Sequence, residues 1–143
     1  MSAVPDTSGN RVLTLAQRAP LAAALAALAR GERILVVGLC AQWCGTCREF
    51  RPAFERIAAA QPRASFLWLD VEDDASITDD IDVDNFPTLA IFGPTGVLHH
   101  GVSLPHEHVV ARLVESLLEA RRNVPADAGV AGLPDALRAQ LVG

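Results

Sequence analysis

The stretch Trp43-Cys44-Gly45-Thr46-Cys47 places two of the chain's three cysteines two residues apart. It follows Ile34–Cys40, a continuous apolar run typical of a strand buried on both faces, and it precedes apolar residues at helical spacing. Cys44 is therefore expected at the exposed start of a helix, where free backbone N–H groups and the helix dipole stabilise a thiolate. Because the thiolate is the nucleophile in disulfide exchange, this position favours redox chemistry.

Strands and helices are predicted on both sides of this motif. Their order begins with alternating strands and helices, which favours parallel pairing, and it ends with a hairpin and a helix. This order predicts an α/β sandwich of three layers, in which a mixed central β-sheet carries helices on both faces. The other predicted elements are a short edge strand at 12–15, an Ala-rich helix at 20–29, strands at 65–71, 88–92 and 97–100, and a helix ending near 122.

Composition narrows the classes of function. The chain has 143 residues and is half apolar and 20% charged, so one domain with a hydrophobic core is expected. Its formal charge of −5 makes nucleic acid an unfavoured partner. The longest apolar run, Pro20–Ala29, is too short to span a bilayer, and no membrane partner is expected. We expect a cytoplasmic monomer. A periplasmic or exported protein is the alternative, if residues 1–29 act as a signal.

The motif residues resemble those of the thioredoxin family. The resemblance rests on Trp43-Cys-Gly-Thr-Cys47, on Pro52 in the following helix and on Phe86-Pro87-Thr88 ahead of a strand. It implies a thioredoxin-like domain over residues 11–122. Residues 1–10 are polar with Pro, Gly and Ser, and we expect them to form a flexible arm. Residues 123–143 are expected to be a linker with a possible short C-terminal helix.

The resemblance also implies roles for individual residues. Cys44 would attack a disulfide and Cys47 would resolve the mixed disulfide, so the chain would use a redox-active Cys44–Cys47 disulfide and no bound cofactor or metal. The substrate-binding residues would be Trp43, Gly45, Thr46, Phe86, Pro87 and Gly101. Pro87 would be the family's cis-proline, and Gly101 would leave room for the substrate chain.

Three positions depart from the family pattern. Gly38 stands where the family usually has a buried Asp that deprotonates the resolving cysteine, and Trp68 stands where a Lys is common. Without that carboxylate, water or an unidentified group must take the proton of Cys47. Thr46 replaces the usual Pro, which is expected to make the pair somewhat more oxidising.

The favoured function is reduction of disulfides in partner proteins, with electrons supplied by a separate reductase. One alternative is a binding or chaperone module with slow or no turnover, which Gly38 and Trp68 make credible. A disulfide oxidase or isomerase in an oxidising compartment is the other alternative, and reduction potential and location distinguish it from a reductase.

Other groups of residues receive less specific interpretations. Cys40 is expected to be a small core residue, with a regulatory disulfide as the less favoured interpretation. A zinc site that adds Cys40 and two of the four histidines to the motif cysteines is also unfavoured, because the Cys-x3-Cys-x2-Cys spacing is not a zinc pattern. The acidic stretch from Asp70 to Asp84 is interpreted as a solvated loop. The alternative hypothesis is that its negative potential favours basic partner proteins. The four histidines, interpreted as an exposed polar edge, are His99, His100, His106 and His108.

Overall fold

Within residues 10–142, which the computed structural model describes, five strands form one mixed sheet. The strands are β1 (Val12–Leu13), β2 (Ile34–Cys40), β3 (Ala64–Asp70), β4 (Thr88–Gly93) and β5 (Gly96–Val102). The helices are α1 (Arg18–Ala29), α2 (Gly45–Ala60), α3 (Ala75–Thr78), α4 (Glu107–Glu119), α5 (Ala128–Ala131) and α6 (Leu133–Val142).

The strand order in the sheet is β1-β3-β2-β4-β5. Strands β1 and β2 run parallel to β3, whereas β4 is antiparallel to β2 and forms a hairpin with β5. Strand β2 lies at the centre and every one of its residues is buried, as its continuous apolar run predicts. The predicted α/β sandwich with a mixed sheet is therefore confirmed.

Alternate residues of β2 point into two separate cores. Ile34 and Val36 lie in the core that α2 and α4 cover, whereas Leu35, Val37 and Leu39 lie in the core on the opposite face. Since side chains alternate along a strand, Gly38 and Cys40 belong to the same face as Val36. The last residue of β2 therefore faces the helix that begins beside Cys44.

The second core is covered by α1 and by the C-terminal helices. Leu21, Leu25 and Leu28 of α1 are buried there, so the apolar run weighed above as a signal segment packs as a helix of the domain. None of the helices formed by residues 10–142 has the length and apolar character that crossing a membrane requires.

Residues beyond 122 contribute to the second core. Val130, Leu133 and Leu137 are at most 1% exposed and lie in the same cluster as Leu21. The segment predicted to be a linker with a possible helix thus contains α5 and α6, although the predicted domain boundary at residue 122 remains a prediction. Residues 1–9 of the predicted arm lie outside the described residues. Asn10 donates its side-chain amide to the carbonyls of Ala58, Gln61 and Ala64.

Candidate active site

Cys44 is the N-cap residue of α2 and has extended backbone geometry. Its N–H donates to the Ala41 carbonyl at 3.0 Å, and its own carbonyl accepts from the N–H of Arg48 at 3.1 Å. The thiol is free and partly exposed. The helix start was predicted correctly, and it places Cys44 where a partner can reach its sulfur.

Cys47 forms a disulfide with Cys40 and not with Cys44. The two bonded residues have Cα atoms 5.8 Å apart, and each is 1% exposed. The predicted Cys44–Cys47 disulfide is therefore absent from this structure. Cys40 is buried, as expected of a small core residue, but it is also bonded, as in the less favoured interpretation that gave it a disulfide. The physical reason is the alternation along β2, which turns Cys40 towards α2, where Cys47 lies in the first turn. The catalytic roles of Cys44 and Cys47 remain predictions.

Trp43 connects the cysteine motif to two other loops. Its ring meets the ring of Phe86 edge to face with centroids 5.6 Å apart, and its Nε1 donates to Glu72 Oε2 at 3.0 Å. The side chain remains 60% exposed. Trp43 and Phe86, both predicted to bind substrate, thus form one surface beside Cys44, and the acidic loop contributes Glu72 to it.

The Phe86–Pro87 peptide bond is cis. The Pro87 carbonyl accepts from the N–H of Ser103 at 3.0 Å, so this acceptor is used within the fold. Within residues 10–142, the backbone N–H and carbonyl of Phe86 make no hydrogen bond. The backbone group that this loop leaves available to an extended partner therefore belongs to Phe86 rather than to Pro87.

Gly101 lies in β5 opposite Leu89 of β4. A β-carbon at this position would have one neighbour, His99 Nε2, at 3.9 Å, so the chain itself does not require a glycine for space. Just beyond it, Val102 and Leu104 are 57% and 60% exposed. These apolar side chains were missed by the sequence analysis. The available signal was a pair of apolar residues, Val102 and Leu104, just beyond the end of the last predicted strand.

Gly45 and Thr46 are exposed in the first turn of α2. Arg48, which the sequence analysis did not select, donates from Nη1 to the Gln42 carbonyl at 2.8 Å. Its other terminal nitrogen would lie 3.8 Å from a β-carbon built at Gly45. A guanidinium group thus lies at the rim of the cysteine motif, and its spacing of four residues from Cys44 was the signal that could have identified it.

Gly38 and Trp68 occupy the positions where the family pattern has an acid and a lysine. They are directly paired between β2 and β3, and the Trp68 ring packs against Phe50 and Phe54. The guanidinium of Arg51 lies 4.9 Å from the centre of the Trp68 ring, which is a cation–π contact. An aromatic cluster therefore replaces the ionisable pair below the motif.

A cleft of about 400 Å³ reaches Cys47 from the side of Trp68. Carboxylates of Asp70, Asp73 and Asp74 line it. Burial raises the pKa of Asp74, and the backbone N–H of Asp70, which donates to Asp74 Oδ2 at 2.8 Å, partly opposes this effect. Cys47, the predicted resolving cysteine, therefore lies at the wall of a cleft that also carries acidic side chains.

The four histidines do not form a ligand cluster. His99 and His100 lie in β5, and the Nε2 atom of each is buried without a hydrogen-bond partner among the described residues. Burial, followed by the neighbouring charge of His100, lowers the pKa of His99. His106 and His108 stack on each other before and within the first turn of α4, with centroids 6.4 Å apart. Residues 10–142 contain no group of three or more His, Cys, Asp or Glu side chains placed to hold a metal ion.

Similarity to characterised proteins agrees with this geometry. The chain is 35% identical over 66 residues to Thioredoxin-2 of Saccharomyces cerevisiae, covering 46% of this chain and 64% of that protein. It is 31% identical over 64 residues to thioredoxin of Homo sapiens, covering 45% of this chain and 61% of the human protein. The match thus spans less than two thirds of these relatives' length.

Solved structures share the fold at lower identity. A poplar thioredoxin h mutant superposes with a TM-score of 0.66 at 17% identity, covering 87% of this chain and 93% of that one. Oxidised thioredoxin O2 from Arabidopsis thaliana gives a TM-score of 0.59 at 20% identity, covering 77% and 96%. The family model named Thioredoxin matches residues 22–116, which include the cysteine motif, the cis-proline loop and Gly101. The chain therefore belongs to the thioredoxin family.

Proposed function

We propose that this protein is a thiol–disulfide oxidoreductase that reduces disulfides in partner proteins. The observation that carries the proposal is the position of Cys44, a free and partly exposed thiol at the start of α2, three residues before the buried Cys47. Family membership and the exposed surface formed by Trp43 and Phe86 support it.

The proposed reaction has two exchange steps. The Cys44 thiolate attacks one sulfur of the partner's disulfide, forming a mixed disulfide and releasing the other sulfur as a thiolate. Cys47, reduced at this stage, then attacks the Cys44 sulfur, forming Cys44–Cys47 and releasing the partner's second thiolate. The two protons that leave Cys44 and Cys47 are balanced by those that the released thiolates take up. Water in the cleft lined by Asp70 and Asp74 is our proposed carrier for the proton of Cys47.

The partner chain is proposed to bind as an extended segment beside Phe86. The backbone of Phe86 has no hydrogen-bond partner within residues 10–142 and can pair with such a segment. Trp43, Gly45 and Thr46 would contact the partner from the motif side, and Gly101 would leave space on the side of β5. The exposed side chains of Val102 and Leu104 would add apolar contact area.

Turnover also requires an electron donor and a compartment. We propose that a separate reductase supplies the electrons. A fold neighbour of 20% identity and TM-score 0.60 was solved in a complex of ferredoxin:thioredoxin reductase with thioredoxin f2. We also propose that the protein is a cytoplasmic monomer, and burial of Leu21, Leu25 and Leu28 in the core supports retention of residues 18–29 in the mature protein. N-terminal sequencing of the mature protein and sedimentation would test these two points.

Insulin reduction by dithiothreitol, followed as precipitation of the free B chain, tests the activity. The wild-type protein is expected to accelerate precipitation, and Cys44→Ser to abolish the acceleration, because the attacking thiol is lost. Cys47→Ser is expected to accumulate a mixed disulfide between Cys44 and insulin, visible on a non-reducing gel. If the wild-type protein does not accelerate precipitation, the proposed reductase activity is contradicted.

A binding module with slow or no turnover is the second candidate. The observation that favours it is the aromatic packing around Gly38 and Trp68, which leaves no ionisable pair beneath the motif. Such a module would capture partners through Cys44 without accelerating insulin reduction. A capture experiment with Cys47→Ser beside the precipitation assay therefore distinguishes the two candidates.

A further inference from the structure

We propose that Cys40 is a third redox-active cysteine, which shares Cys47 with Cys44 and holds the oxidised protein as a buried Cys40–Cys47 disulfide. This inference rests on the proposed reactivity of Cys44 and Cys47. It adds a second oxidised form in which the attacking cysteine is free and the resolving cysteine is occupied.

The geometry gives Cys47 two cysteine neighbours. On one side it is bonded to Cys40, at the end of β2, with a Cα–Cα distance of 5.8 Å that is ordinary for a disulfide. On the other side, Cys44 precedes it by three residues at the start of the same helix. Cys44 is the N-cap residue of α2 and Cys47 lies in its first turn, so the two cysteines are one helical turn apart along the chain. Cys47 therefore has a second cysteine beside it with which it can exchange partners.

The exchange step is balanced within the chain. After Cys44–Cys47 has formed, the Cys40 thiolate attacks the Cys47 sulfur, the Cys40–Cys47 bond forms, and the Cys44–Cys47 bond breaks. Cys44 leaves as a thiolate, and the proton that Cys40 has lost is balanced by the one that Cys44 can take up. No external oxidant or reductant enters this step, because the oxidising equivalents came from the partner's disulfide.

Burial makes the two disulfides unequal in access. Cys40 and Cys47 are each 1% exposed, so, although the cleft borders Cys47, an external thiol finds very little accessible surface on either residue. Cys44 is partly exposed and adjacent. Reduction of the buried disulfide would therefore proceed by the reverse exchange, in which Cys44 attacks Cys47 and brings the disulfide back to the accessible position.

The buried disulfide would change what the oxidised protein does. Cys44 could attack a second disulfide, but Cys47 could not resolve the product while it is bonded to Cys40. The oxidised protein would then act through a single thiol and hold its partner as a stable mixed disulfide. Under reducing conditions the Cys40–Cys47 disulfide would be reduced, which would free the Cys47 thiol and restore turnover.

Disulfide mapping of the oxidised wild-type protein is the decisive test. The reduced protein is oxidised with excess trans-dithiane-4,5-diol, and free thiols are alkylated with N-ethylmaleimide in denaturant. Cleavage after Leu39, Trp43 and Arg48 then separates the peptide that contains Cys40 from the one that contains Cys44 and Cys47. We expect the two peptides to be linked, with the alkyl label on Cys44. An unlinked Cys40 peptide carrying the label, beside an internal Cys44–Cys47 disulfide, would overturn the proposal.

Two further measurements test the exchange itself. In samples quenched with acid during oxidation, Cys44–Cys47 is expected to form first and to convert into Cys40–Cys47. In Cys44→Ser, formation of Cys40–Cys47 is expected to slow by at least about tenfold, because both remaining thiols are buried. Equal rates in this variant and the wild-type protein would overturn the exchange route.

The mapping does not depend on turnover with a protein substrate. If the protein forms Cys40–Cys47 but does not reduce insulin, this inference is supported and the proposed reductase activity is contradicted. A protein that reduces insulin and forms only Cys44–Cys47 would give the opposite result.

Discussion

Gly38 and Trp68 lie opposite each other in β2 and β3, and a β-carbon at Gly38 would be 3.3 Å from Trp68 Cε3. The same β-carbon would be 3.3 Å from Phe54 Cζ. The absence of a side chain at position 38 thus makes room for two aromatic rings. The two departures from the family pattern are therefore one structural feature, in which a small residue accommodates a large one.

Restoring the family's acid is expected to destabilise this protein. Gly38→Asp would place a carboxylate between Trp68 and Phe54, whose nearest atoms are ring carbons that offer it no hydrogen bond, and would overpack the core. We expect the free energy of unfolding to fall by about 2–5 kcal/mol, measured by urea unfolding. Gly38→Ala is the control that separates the steric cost from the cost of the charge. A Gly38→Asp protein as stable as the wild type would contradict this account.

Local chemistry explains which parts of the site were predictable from the sequence. The strand-to-helix junction at Cys44 follows from an apolar run and a helical period, both of which lie within neighbouring residues. The bonding partner of Cys47 could not be predicted from the sequence. The alternation along β2 shows which residues share a face of the sheet, but it does not show which face α2 covers. That choice depends on packing between elements distant in the chain, and it turned Cys40 towards Cys47.

The same distinction applies to Glu72 and to the C-terminal helices. The acidic loop was visible in the sequence, but the path that brings Glu72 to the Trp43 indole depends on the turn after β3. The periodicity of 133–141 indicated a possible helix, whereas its burial depends on the uncovered part of the second core beside α1. Sequence patterns of this kind predict elements more readily than the contacts between them.

The charge of Glu72 is expected to favour basic partners. Glu72→Gln retains an oxygen that can accept from Trp43 Nε1 but removes the negative charge beside Cys44. At low salt, kcat/KM for a basic peptide disulfide is expected to fall by about two- to fivefold, and its dependence on ionic strength to weaken, whereas a neutral peptide is little affected.

Glu119→Gln is the matched control, because it removes the same charge at the far end of α4. Stopped-flow measurement of each reaction over a range of salt concentrations would provide the comparison. Equal changes for the basic and the neutral peptide would show that the Glu72 carboxylate does not select partners by charge.

His99 is expected to make the protein sensitive to mild acid. Burial holds the pKa of His99 in the folded protein below the ordinary value of 6.5. At pH values between the folded and the unfolded pKa, the unfolded chain therefore binds more protons than the folded protein. Stability is therefore expected to fall as the pH drops through 6.5 towards the lower, folded pKa. Above 6.5 both states are neutral at this residue, and no effect is expected.

Thermal unfolding of His99→Asn and the wild-type protein between pH 8 and pH 5 would test this pH dependence. The difference in Tm at pH 8 is the internal baseline, because it contains only the packing effect of the substitution. As the pH falls, the wild-type Tm is expected to decrease relative to that of the variant. Parallel curves over the whole range would contradict the inferred contribution of His99.

Leu137 is expected to be as important to stability as residues of the central strands. It is 0% exposed in α6 and lies in the core that includes Leu21 and Leu25 of α1. Leu137→Ala would leave a cavity there, and we expect a loss of about 2–5 kcal/mol in the free energy of unfolding. Val142→Ala in the same helix is the control, since Val142 is 88% exposed and its truncation should change stability by less than about 0.5 kcal/mol. If both variants unfold at the same urea concentration as the wild-type protein, the domain ends before α6 and residues beyond 122 are dispensable for stability. If only Leu137→Ala lowers this concentration, the cooperatively folding unit includes the C-terminal helix.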